Sequence, residues 1–82
     1  MLLIKNIEKP TVLDIGTGSG AIAVSIAKNR ADSYVMACDI SEAALETAVS
    51  NGELNEVKNI KFVNSNIFEN IKYRSFNLIV SN

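Results

Sequence analysis

Two carboxylates and a cluster of glycines stand in this chain at spacings that suit ligand binding. Asp14 interrupts the apolar run Thr11-Val12-Leu13-Asp14-Ile15, two residues before Gly16-Thr17-Gly18-Ser19-Gly20. Asp39 closes a second apolar run, about twenty residues past the glycines. Glycines in such a turn permit positive φ and let a ligand approach the backbone closely. A helix starting there offers unpaired N–H groups. With Ala21 the turn satisfies the relaxed dinucleotide pattern G-x-G-x-x-[GA], so a nicotinamide or flavin site fits the spacing, as does a tight turn without a ligand. Asp39 suits any nucleoside, because a carboxylate there can accept from both ribose hydroxyls. Its plainer reading is an exposed acid opening the next helix. Asp14 separates the cofactors. An unpaired carboxylate inside a strand is costly. A ligand ammonium would offset that cost, whereas a pyrophosphate would bring anions together. S-adenosylmethionine carries an ammonium, a sulfonium and a ribose; NAD carries the pyrophosphate. Asp14 therefore favours S-adenosylmethionine, unless backbone N–H groups of the turn pair it instead.

The elements that must position these residues alternate along the chain. Thr11–Ile15 follows Pro10 and reads as a strand entrance. Ala21–Lys28 is apolar all round, which suits a helix packed on a sheet. Ser33–Cys38 is a second strand. Ser41 can cap a helix that Glu42 favours and that runs to about Leu54, with Gly52 weakening its last turns. Ile60–Val63 and Phe76–Val80 are strands three and four. The order βαβαβ-loop-β predicts an α/β protein with a Rossmann-like, doubly wound parallel sheet. Parallel strands are buried on both faces, which accounts for the continuous runs Val12–Ile15 and Leu78–Val80. Leu2, Leu3, Ile4 and Ile7 have helical spacing and fit the last turns of a helix begun upstream.

Composition bounds the function. Eighty-two residues make one small domain, 48% hydrophobic and 21% charged, with a formal net charge of −1. A chain of this size buries only about 60% of the surface its unfolded form exposes. No basic block stands out, so a nucleic-acid module held by charge alone is not expected. One cysteine, Cys38, lies in an apolar run and is expected to be a buried reduced thiol, in keeping with a cytoplasmic protein. There is no histidine and no cysteine cluster, so no soft-metal site is expected. The amino-terminal stretch is too short and mixed for a signal peptide or a membrane span.

Four segments in order, "VLDIGTGSGAIA", "ACDIS", "FVNSNIF" and "FNLIVSN", resemble the class I S-adenosylmethionine-dependent methyltransferases. The similarity is closest to the protein-(glutamine-N5) methyltransferases of peptide chain release factors, and it runs from about Pro10 to Asn82. The resemblance implies that Gly16, Thr17, Gly18, Ser19 and Gly20 line the methionine part of the cofactor and that Asp14 helps hold its ammonium. It implies that Asp39 binds the ribose, that Ile40 packs on the adenine, and that Asn66 and Ile67 meet the adenine edge and face. Asn82 matches the asparagine that orients the substrate amide, which in the family is followed by Pro-Pro-Tyr. Asn66 stands where many relatives have aspartate, Ile67 where some have an aromatic, and Asn77 where aspartate is frequent. On this resemblance the chain is expected to be the cofactor half of the domain over residues 1–82, inactive by itself and liable to self-associate through the exposed strand 76–80. The intact enzyme is expected to act on a release factor, with the amino group of a nucleic-acid base as another possible target.

Overall fold

A computed structural model describes residues 4–65 and 76–81. Four strands form one parallel sheet: β1 Thr11–Ile15, β2 Tyr34–Asp39, β3 Ile60–Asn64 and β4 Leu78–Ser81. Helix α1, Ala21–Asn29, joins β1 to β2, and α2, Glu42–Leu54, joins β2 to β3. The strand order is β3-β2-β1-β4. The chain steps outward from β1 to β3 and then returns to the other side of β1. That reversal defines the Rossmann-like α/β sheet, and it puts a crevice at the carboxyl ends of the strands.

Strand alternation sorts the side chains onto two faces. Val12, Val35 and Ala37 lie on one face, in a buried cluster with Ala23, Ile26 and Ala27 of α1. Ile60, Phe62, Leu78 and Val80 flank that cluster. A Cβ on Gly52 of α2 would lie 3.2 Å from the Phe62 ring, so α2 packs on the same face. Leu13 is fully buried on the opposite face, and Ile79 beside it is 42% exposed.

Element boundaries differ slightly from the sequence expectations, each for a local reason. The second strand starts at Tyr34, because the Ser33 N–H and hydroxyl both donate to the Arg30 carbonyl and hold Ser33 in a turn. The fourth strand starts at Leu78, because Asn77 clamps its entry. The Asn77 side-chain oxygen accepts from the Thr11 N–H at 2.8 Å, and its N–H donates to the Thr11 carbonyl at 2.8 Å. Of the helical spacing over Leu2–Ile7, the described part shows a single turn closed by the Ile7 N–H on the Ile4 carbonyl.

Arg30 straps this amino-terminal segment to the end of α1. Its guanidinium donates to the carbonyls of Ile4 and Ile7, at 2.6 Å each, and pairs with Asp32 at 3.0 Å. Asp32 in turn accepts from the Lys9 N–H. The planar fork serves four acceptor oxygens at once, one more than the three N–H donors of an ammonium allow. Arg30→Ala is expected to lower the midpoint of urea unfolding, with Arg30→Lys recovering less than half of the loss. Hydrogen bonds from Arg30 and the Lys9 N–H hold the Asp32 carboxyl down at about 2. Its stabilising contribution is therefore present above the ordinary carboxyl range and lost as pH falls toward 2, a dependence that Asp32→Asn should flatten.

Candidate functional site

The glycine turn leaves β1 at the point where the strand order reverses. Each of its bonds constrains the next. The Thr17 N–H donates to the Cys38 carbonyl at 2.9 Å, tying the turn to the end of β2. The Gly18 N–H donates to the Asp39 carboxylate at 2.9 Å, and the Gly20 N–H to the Thr17 carbonyl at 2.9 Å. Gly20 then caps α1 with φ +80, so no side chain caps that helix, and its first turn holds no acid. The unpaired N–H groups of the helix start give this end a partial positive charge.

Asp14 lies beneath this turn and is 1% exposed. One carboxylate oxygen accepts from the Thr17 hydroxyl at 2.7 Å. The other, Oδ1, is buried with no hydrogen-bond partner among the described residues. The partner is thus a side chain, where the sequence left open a pairing with backbone N–H groups. Burial pushes the Asp14 carboxyl up, the Thr17 hydroxyl partly opposes this, and the Asp39 charge pushes it further up. An unsatisfied buried acceptor of this kind costs roughly 1–3 kcal/mol.

Asp39 has the opposite environment. It is half-buried at the end of β2, and its oxygens accept from the Ser41 and Gly18 N–H groups, both at 2.9 Å. These donors hold its carboxyl below the usual range. A carboxylate with one donor on each oxygen keeps lone pairs for further donors. Ile40 follows with 77% of its surface exposed, and Ser41 caps α2 by accepting from the Ala44 N–H at 3.2 Å. Cys38 is buried as expected, and desolvation raises its thiol.

Asp14, Gly16, Thr17, Gly18, Ser19, Gly20, Asp39 and Ile40 thus come together at the carboxyl ends of β1 and β2. Asn66, Ile67 and Asn82 lie outside the described residues. Asn64, which the sequence did not single out, joins the group. It ends β3 opposite Asp39, and its side-chain amide donates to the carbonyls of Asp39 and Ile40 at 3.0 Å each. The available signal was topological: in a parallel sheet, the last residue of β3 stands beside the last residue of β2.

A reversed parallel sheet, with a glycine turn at the reversal and an acid ending the second strand, defines a Rossmann-like ligand-binding domain. A family model described as the methyltransferase small domain matches residues 1–82, and the chain belongs to that family. It is 48% identical over 84 residues to the release factor glutamine methyltransferase of Lactococcus lactis subsp. lactis, covering 100% of this chain and 30% of that protein. The chain thus spans less than a third of that curated relative's length. Among solved structures, the ribosomal protein L11 methylase of Lactobacillus delbrueckii subsp. bulgaricus superposes with a TM-score of 0.78 at 33% identity, over 100% of this chain and 42% of that chain. TrmK of M. capricolum, solved with the cofactor product S-adenosyl-homocysteine, gives 0.68 at 27% identity, over 83% of this chain and 31% of that chain.

Two glycines of the turn have separable roles. A Cβ on Gly20 would lie 2.8 Å from the Ala48 Cβ and 3.1 Å from its Cα, so α1 and α2 meet only because position 20 is bare. A Cβ on Gly18 would meet nothing within 4 Å. Both have positive φ, +57 at Gly18 and +80 at Gly20. Gly20→Ala should therefore cost about 2–4 kcal/mol in denaturant unfolding, from strain and overlap together, with partial recovery by Ala48→Gly. Gly18→Ala should cost only about 1–2 kcal/mol, from strain alone.

Proposed function

We propose that this chain binds S-adenosyl-L-methionine at the carboxyl ends of β1 and β2. The intact enzyme would methylate the side-chain amide nitrogen of a glutamine in a peptide chain release factor, in the cytoplasm. The observation that carries the cofactor reading is the buried Oδ1 of Asp14, unpartnered among the described residues, beside the turn that leads into the start of α1, where no side chain caps the helix. An amino-acid zwitterion suits that pair: its ammonium supplies the donor that Asp14 lacks, and its carboxylate suits the helix end. A pyrophosphate would satisfy the helix end but bring negative charge toward Asp14. The Gly18 N–H is also already committed to Asp39.

Asp39 has acceptor capacity left for ribose hydroxyls, and exposed Ile40 offers an apolar surface to an adenine ring. Asn66 and Ile67 would meet the adenine edge and face, and Asn82 would accept from the substrate amide. When bound, the cofactor supplies an electrophilic methyl group on a sulfonium. The residues of this chain hold and orient, so their contribution to catalysis is positioning. The 48% identity to a release factor glutamine methyltransferase supports the choice of acceptor. No helix among the described residues is long and apolar enough to cross a membrane.

Calorimetric titration of the 82-residue chain should show binding of S-adenosyl-L-methionine and none of NAD; the reverse would overturn the assignment. Asp14→Asn should weaken binding by about 10- to 100-fold, the worth of a hydrogen bond between charged groups. Affinity should also fall as pH drops through the raised pKa of Asp14, since protonation removes the charge that holds the ammonium. The free chain should respond with the opposite sign. Its folded state takes up that proton more readily than the unfolded chain, so stability rises as pH falls through the same window. Asp14→Asn should abolish both dependences.

These 82 residues span less than a third of the curated relative's length and by themselves should not methylate a release factor. The outer edge of β4 has no strand partner among the described residues, and exposed Ile79 lies on it. Such an edge invites pairing between copies. Sedimentation velocity should show concentration-dependent association, reduced by Ile79→Lys; a strict monomer at high concentration would count against it.

A further inference from the structure

We infer that Asn64 is a positioning residue for the adenosine half of the cofactor site, acting by fixing the backbone that presents Ile40. This rests on the cofactor reading above and adds a residue to it. Ile40 is 77% exposed, so packing does little to define where it points. Its backbone is nevertheless held from several sides. The Asn64 amide bridges the carbonyls of Asp39 and Ile40 at 3.0 Å each. The Ser65 N–H adds a bond to the Asp39 carbonyl at 3.2 Å. On the other side, the Ser41 N–H binds the Asp39 carboxylate at 2.9 Å, and Ser41 itself begins α2.

The arrangement has a clear physical consequence. Two successive carbonyls locked by one amide fix the Asp39–Ile40 peptide unit and thereby the direction of the Ile40 side chain. Holding an apolar side chain in place before a ring arrives lowers the ordering cost of binding. Asn64 is exposed, and among the described residues its side chain bonds to these two carbonyls alone. Its removal should therefore disturb the shelf more than the core. An amide is needed for this bridge: it has two N–H donors, whereas an isosteric carboxylate would have none and would repel both carbonyls.

The test compares the unaltered chain with Asn64→Ala and Asn64→Asp, by titration with S-adenosyl-homocysteine and by hydrogen exchange at the Ile40 and Ser41 amides. Both variants should bind about tenfold more weakly, exchange faster at these amides, and melt within about 4 °C of the unaltered chain. A double-mutant cycle with Ile40→Ala separates a positioning role from a general one. If Asn64 acts through Ile40, the double variant should bind no more weakly than the worse single variant. Full additivity would overturn the inference, as would unchanged affinity in both Asn64 variants, and either result would leave the cofactor reading standing. A large loss of stability in both would also overturn it, by making Asn64 a residue of the fold. Absence of binding by the unaltered chain would overturn this inference and the cofactor reading together.

Discussion

Strand β1 is paired on both edges and covered on both faces, and the remaining structure is arranged around that constraint. Val12, Leu13 and Asp14 are almost wholly removed from solvent. A strand so enclosed has only its ends free, so its loops must carry whatever polar chemistry the domain performs. At the amino end, Asn77 and Thr11 exchange hydrogen bonds that set the register of β4. At the carboxyl end, the glycine turn must clear the sheet quickly, because α1 has to pack back against β1 and β2. The closeness of Gly20 to Ala48 shows how little room that path leaves.

The same enclosure explains why the two acids at the site behave differently. Asp14 meets the glycine turn from the enclosed strand and, among the described residues, finds one donor, the Thr17 hydroxyl. Asp39 ends a strand at the surface and receives backbone N–H donors from both sides. One carboxyl is pushed up by burial and the other pulled down by its donors. A ligand that presents a cation near the first and hydroxyls near the second would complement both, and the proposed cofactor carries these groups.

Much of this was legible in the chain itself. The apolar runs gave all four strands to within two residues, because a strand buried on both faces leaves little room for polar residues. The glycines and Asp39 could be placed at strand ends because turns and acids interrupt those runs. Asn64, Arg30 and Asn77 were harder to read. Each is a polar residue of a type common in loops, and each acts on backbone carbonyls or N–H groups far away in sequence. Arg30 reaches back to Ile4 and Ile7, Asn77 to Thr11, and Asn64 to Asp39 and Ile40. Nothing in local composition distinguishes such a residue from a solvated one.

The sequence by itself determined the element order, the parallel sheet and the place of the glycine turn at the end of β1. Periodicity, apolar runs and glycine spacing are local properties, and a βαβ unit can be wound in essentially one hand. Only the tertiary structure decided which oxygen of Asp14 lacks a partner among the described residues, which glycine must stay bare and which asparagine holds the Asp39–Ile40 peptide. Those outcomes depend on the distance between groups brought together from separate elements. That distance is set by how two helices share one face of the sheet and how adjacent strands end side by side.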